Sequence, residues 1–236
     1  SDWFTTLKKT LAMDEIITRH SAVMDHYDPE GRVGLIIDEW GTWYDVEPGT
    51  NPGFLYQQNT MRDALVAGVN FNIFHKHCNR VQMANIAQMV NVLQAVILTE
   101  GQLIIKTPTY HVFNMYKVHQ NADALDISCE SDLYQHGEET IPQVTVSASM
   151  DNSKKVHVSL CNLDPENTAD TLLELRGLAV SSVQGTVLTA GKINAHNTFE
   201  QPDLVEPSEF NQAVLKQNSL EVQLPPMSVV VLELLQ

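Results

Sequence analysis

Basic residues are scarce in this chain: 14 Lys and Arg stand against 29 Asp and Glu, for a formal net charge of −15. The cations are scattered along the sequence, and phosphate backbones are held by clustered ones, so a nucleic-acid partner is excluded. Long apolar runs are missing too. Hydrophobic residues make up 43% of the chain, but none of their runs reaches the roughly 18–20 residues of a membrane-spanning helix, so no membrane partner is expected. Ser1 to Thr10 contains no apolar segment of the kind that makes a signal peptide. Cysteine is limited to Cys78, Cys129 and Cys161. These are far apart, odd in number and without a CxxC pair, which argues against a zinc site or a disulfide framework and for free thiols. Repeats and low-complexity tracts are absent.

Phe4, Leu7, Leu11, Ile16, Ile17, His20 and Met24 recur at helical spacing and predict a helix over Asp2 to His26. Tyr27-Asp28-Pro29-Glu30-Gly31 reads as a turn. Val33 to Ile37 is a continuous apolar run, as expected of a strand buried on both faces of a parallel sheet, and it ends in Asp38-Glu39-Trp40-Gly41. A loop follows, then a helix from about Leu55 to His75 with Ala64, Leu65, Gly68, Val69 and Ile73 on one face. Val81 to Met89 is read as a continuation of that helix, and Asn91 to Thr99 as a second buried strand. Thr107-Pro108 has the N-cap and first-position signature of a helix reaching about Asn121.

That is α/β order. From about Leu125 the pattern changes. Val144 and Val146, then Val156, Val158 and Leu160, then Leu220, Val222 and Leu224 alternate with polar residues. These predict strands with one face to a core and one to water, as in an antiparallel β-sandwich. The expected division is residues 1–124 as an α/β portion and 125–236 as the sandwich. The two expected βα units cannot close a barrel, and a sheet of two parallel strands leaves apolar edges open, so the first portion is expected to be incomplete as an independent fold.

Glu39 is the sharpest chemical feature. It lies at the C-terminal end of an expected parallel strand, where α/β barrels carry their catalytic groups. Trp40, Trp43 and Tyr44 follow at once, and sugars stack their C–H faces on such rings. A retaining glycosidase places its nucleophile carboxylate at such a point, with a second carboxyl group roughly 5–5.5 Å away. Asp38 is not expected to be that second group, because neighbouring strand residues point to opposite faces. The residues alone leave a plainer reading open, in which Asp38 and Glu39 cap the following loop and the two tryptophans are core.

The segment Gly34-Leu35-Ile36-Ile37-Asp38-Glu39-Trp40-Gly41-Thr42-Trp43-Tyr44 resembles the nucleophile segment of the α-L-arabinofuranosidases of glycoside hydrolase family 51. The likeness continues through Asp63 to Gly68, through His77 to Val81, through Met83 to Leu93, and through Pro108 to Tyr116. The resemblance implies a (β/α)₈ barrel followed by a β-sandwich, of which this chain holds the last barrel units. It implies Glu39 as nucleophile at the end of the seventh barrel strand, with Asn91 to Thr99 as the eighth. It also implies Trp43 as an aromatic lining the sugar site and Gln88 as a glutamine reaching the sugar beside the nucleophile. A core role for Trp43 and a polar helix-end role for Gln88 are the plainer alternatives. The family's acid/base is a Glu following an Asn at the end of strand four. No Asn-Glu pair stands at a strand end here, so that residue and the preceding strands are expected from outside these residues.

The implied activity is hydrolysis of terminal arabinofuranosyl residues from arabinose-containing oligosaccharides. No cofactor and no metal is implied. A homo-oligomer and a cytoplasmic location are expected from the resemblance, the latter also from the free thiols. His75 and His77 lie two apart and are not read as metal ligands. His111 and His119 are expected on the packing and solvent faces of the last helix. The alternatives are a retaining barrel glycosidase for a different sugar, or a non-catalytic carbohydrate-binding or assembly fragment. The sandwich is poor in aromatics, with only Tyr134, Phe199 and Phe210, which disfavours a sugar-stacking platform there.

Overall fold

The computed structural model describes residues 2–93 and 95–236. Helix α1 (Asp2–Tyr27) leads in and buries only Trp3, Phe4, Leu7 and Ile17. Strand β1 (Leu35–Trp40) follows, then α2 (Met61–Lys76) and β2 (Val81–Ile86). β1 and β2 pair in parallel, with Leu35, Ile36, Ile37 and Trp40 opposite Val81, Met83, Ala84 and Ile86. Parallel neighbours need a long crossover, and α2 supplies it. A capping box between Thr60 and Asp63 starts this helix.

The second parallel strand is therefore Val81–Ile86, which the sequence pattern reads as helix, and not Asn91–Thr99. The reason is local. Val81, Ala84 and Ile86 meet the helix-side core while Met83 is 53% exposed. The register slips between Leu35 and Ile36, which spaces the inward residues by three and two and imitates a helical period. The apolar run after Asn91 has another use. Ile97–Glu100 (β3) forms an antiparallel hairpin with Leu103–Lys106 (β4), turning at Gly101 with φ +58°. Ala95, Leu98 and Ile105 make a small separate core with Tyr56 and Phe199. Helix α3 (Pro108–Tyr116) has Thr107 as its N-cap, and a 3-10 turn, Lys117–His119, continues it.

The remaining strands are β5 (Asp123–Ala124), β6 (Leu133–His136), β7 (Glu139–Pro142), β8 (Val144–Met150), β9 (Val156–Asn162) and β10 (Ala169–Glu174). They continue as β11 (Ser182–Leu188), β12 (Ser208–Glu209), β13 (Ala213–Leu215), β14 (Ser219–Leu224) and β15 (Ser228–Leu235). A six-stranded sheet has the order β12-β11-β15-β9-β8-β5, and a three-stranded sheet the order β10-β14-β13. Their pairs are antiparallel. Val158, Leu160, Val222, Leu224, Val230 and Leu232 share the core of this sandwich.

The second face of the large sheet does not meet water. A continuous core joins Leu65, Val69, Val112 and Tyr116 of α2 and α3 to Cys161, Val229 and Val231. β9 is accordingly buried at every position. The polar members of its alternation, His157 and Ser159, lie under the helices and not in solvent, which corrects the expectation of a wet face. His119, expected on a packing or solvent face with His111, is buried as well, and so is His111.

Candidate active site

Glu39 is the penultimate residue of β1. Ile37 and Trp40 lie opposite Ala84 and Ile86. β1 therefore uses three steps where β2 uses two, which is a β-bulge. Ile37 packs on the helix-side core, and Trp40 sits within it, its ring 5.5 Å from both Phe71 and Phe74. The extra residue leaves Asp38 and Glu39 together between these two inward positions, and both are exposed. The alternation argument that would send Asp38 to the opposite face does not hold at this bulge.

Trp43 follows on the loop that leaves β1. It is 67% exposed, outside the cores that these residues form. The residues on either side of it are held firmly. Gln57 Oε1 accepts from the Tyr44 N–H at 2.7 Å, and Gln57 Nε2 donates to the Thr42 carbonyl at 3.2 Å. The Thr42 hydroxyl donates to Asp63 Oδ1 at 3.0 Å. Asp63 Oδ2 meanwhile accepts from Thr60 N at 2.8 Å, so one buried carboxylate serves both the start of α2 and this loop. The Arg62 guanidinium lies 3.9 Å from the centre of the Tyr44 ring. Burial, with the charge of Asp63 added, raises the Tyr44 phenol above its ordinary value and keeps it neutral. A cavity of about 160 Å³ opens here between Tyr44, Glu47, Gln57, Arg62 and Asn194.

Gln88 stands just beyond β2 and is exposed. It is not at a helix end. The Ala87 N–H donates to the Trp40 carbonyl at 3.3 Å, which carries the strand pairing one step past β2 and brings Gln88 beside the end of β1. Further on, Tyr56 bridges to Leu93, and the Leu93 N–H donates to the Leu55 carbonyl at 3.1 Å. The loops after β1 and after β2 are thus tied together. Glu39, Trp43 and Gln88 all fall at the same, C-terminal end of the parallel pair. A carboxylate, an exposed indole and an amide collected there can attack, stack on and hydrogen-bond a sugar. Gln57 escapes the sequence reading, and Asp63 enters it only as part of a resembling segment, without its tether to Thr42. The Thr60-x-x-Asp63 spacing is a visible cap signal, whereas Gln57 sits in an aperiodic loop.

The sequence matches the model of the alpha-L-arabinofuranosidase C-terminal domain family over residues 38–228. It is 42% identical over 235 residues to an intracellular exo-alpha-L-arabinofuranosidase of Bacteroides ovatus, covering 99% of this chain and 46% of that protein. The structure superposes on the GH51 arabinofuranosidase from Xanthomonas axonopodis pv. citri with a TM-score of 0.97 and 50% identity, over 99% of this chain and 47% of that one. It shares its fold with the alpha-L-arabinofuranosidase from Thermotoga maritima, with a TM-score of 0.86, 23% identity, and coverage of 100% and 50% of the two chains. This chain belongs to the alpha-L-arabinofuranosidase C-terminal domain family. It spans about half the length of the relatives it matches.

Proposed function

We propose that these residues are the C-terminal portion of a retaining exo-α-L-arabinofuranosidase that removes terminal arabinofuranosyl units from arabinose-containing oligosaccharides inside the cell. The observation that carries this is the exposed Glu39 at the C-terminal end of a parallel strand pair, in a chain of this family. Residues 1–124 supply the last strands and helices of a (β/α)₈ barrel, and residues 125–236 the sandwich that braces them. β1 is then the seventh barrel strand and β2 the eighth. The half-exposed Ile36 and Met83, paired across the face away from the helices, fit a barrel interior that the rest of the barrel completes.

In this reading Glu39 attacks the anomeric carbon while a carboxylic acid from outside these residues protonates the leaving oxygen. The glycosidic bond breaks as the arabinosyl ester of Glu39 forms. Water then attacks that ester, and the same outside carboxylate takes its proton and releases arabinose. Trp43 stacks on the sugar, and Gln88 hydrogen-bonds its hydroxyls.

The test is hydrolysis of 4-nitrophenyl α-L-arabinofuranoside by the intact protein and by the 236-residue chain alone. Turnover by the intact protein, with none by the chain, is the expected pair of results. Preferential turnover of the arabinopyranoside, xyloside or glucoside would replace the sugar assignment. Turnover by the chain alone would place the acid within it.

A further inference from the structure

We propose that Gln57 is a positioning residue for the sugar site, acting through the backbone of Trp43. The inference rests on the reading of Trp43 as the sugar-stacking aromatic. Within these residues the Trp43 side chain is 67% exposed, so what they contribute to its aim is the direction of its Cα–Cβ bond, which its own φ and ψ set. The peptide unit before Trp43 presents the Thr42 carbonyl, and the one after it presents the Tyr44 N–H. Gln57 takes both, donating to the first at 3.2 Å and accepting from the second at 2.7 Å. One side-chain amide therefore fastens the two planes whose rotation would swing the indole.

Gln57 is suited to this because it is itself immobile. It is 2% exposed. On one side Tyr56 is bridged to Leu93 and its carbonyl accepts from Glu47 N at 2.9 Å. On the other, Asn59 donates to the Thr109 hydroxyl at 2.7 Å and accepts from the Thr109 N–H at 3.1 Å at the start of α3. A donor and an acceptor at one chain length are both required. Methionine matches the length without the amide, and asparagine keeps the amide but falls short by one methylene. The Thr42–Asp63 bond is a separate tether that acts only on the side of Thr42.

The experiment is a double-mutant cycle in the intact protein with Trp43→Ala and Gln57→Met, read as KM and kcat on 4-nitrophenyl α-L-arabinofuranoside. A loosened stacking ring weakens ground-state and transition-state binding alike, so the loss falls on KM. Misfolded protein would lower apparent kcat and leave KM unchanged. Gln57→Met should raise KM about tenfold or more, and the double variant should lose no more than Trp43→Ala alone. Should Gln57→Met fail to fold, Gln57→Asn enters the same cycle with the same expectation. A damaging Trp43→Ala beside a silent Gln57 variant overturns the inference alone, and so do losses that multiply. A Gln57 effect on KM with Trp43→Ala silent overturns it as well. Silence of both overturns the sugar-site reading of Trp43, and the inference with it.

Discussion

Gly68 on α2 and Cys161 on β9 approach so closely that a Cβ on the glycine would stand 2.7 Å from the thiol sulfur. The Tyr116 hydroxyl lies 3.5 Å from the same sulfur. This contact sets how deeply the helix layer sits on the large sheet. Burial pushes the Cys161 thiol up to about 11, so it is a neutral packing group. Gly68→Ala should lower unfolding stability by about 1–3 kcal/mol through overpacking, even though alanine favours a helix by about 1 kcal/mol. Denaturant melts measure it. Adding Cys161→Ala should recover part of the loss; no recovery would mean that the sulfur is not what the new methyl strikes.

The same interface makes stability depend on pH. The His75 and His119 rings lie 4.6 Å apart. His75 Nδ1 is 2.9 Å from the Ser147 hydroxyl, and the two nitrogens of His119 are 2.7 Å and 2.6 Å from those of Ser149 and Ser159. Burial pushes His75 down to about 4. Burial first, then the charges of His75 and His157, pushes His119 down to about 3. Both rings are neutral in the fold, while the unfolded chain protonates its histidines below about 6.5. Between those values the unfolded state binds more protons, so stability is full above about 6.5 and falls as pH drops towards 4. At about 1.4 kcal/mol per unit and histidine, the loss reaches roughly 3–5 kcal/mol by pH 4.5. Thermal melts from pH 7.5 to 4.5 measure it, and His119→Gln should flatten the slope. An equally steep slope in that variant would shift the cause elsewhere.

Asn72 joins the two layers through more partners than any hydrophobic neighbour could replace. Its Nδ2 donates to the Thr145 hydroxyl at 3.0 Å, and its Oδ1 accepts from Ser147 at 2.8 Å and from Tyr116 at 3.0 Å. Asn72→Ala takes one partner from each of three hydroxyls, those of Ser147 and Tyr116 on buried residues, and should cost about 1–3 kcal/mol. Asn70, on the same helix, donates only to the Val66 carbonyl, and its Oδ1 meets no partner among the described residues. Asn70→Ala should cost less than half as much. Equal losses would mean that helix packing and not the network carries the effect.

These contacts explain which parts of the fold are legible in the sequence. The run Val33 to Ile37 ending in two acids identifies β1 and sets Glu39 near its end, because a strand needs only local apolar residues; the expected burial on both faces is not met, since of β1 only Trp40 is buried in these residues. β2 is not legible, since its inward positions follow the irregular register of its partner. The alternation over Val156 to Leu160 gives β9 correctly but not its surroundings. His157 and Ser159 look like a wet face, and only the helices from much earlier in the chain bury them. Gln57 is illegible for the same reason: its partners are chosen by where two loops end, and no period in the loop records that.

The bulge at Asp38 and Glu39 calls for the last experiment. Both carboxylates are exposed between Ile37 and Trp40, so strand alternation cannot say which one is the nucleophile of the proposed reaction. The chemistry can. Removing a nucleophile carboxylate leaves space beside the anomeric carbon for a small external anion. In the intact protein, Glu39→Gly should reduce hydrolysis of an aryl α-L-arabinofuranoside to background, and azide should restore aryl release with a glycosyl azide of inverted configuration as product. Asp38→Asn should lower the rate less, and azide should not raise it. The configuration of the azide product, read by NMR, discriminates further. Attack at an emptied nucleophile position inverts the anomeric centre, whereas azide replacing water on a covalent intermediate retains it. Azide rescue of the Asp38 variant in place of Glu39 would move the nucleophile by one residue and make the bulge the device that presents Asp38.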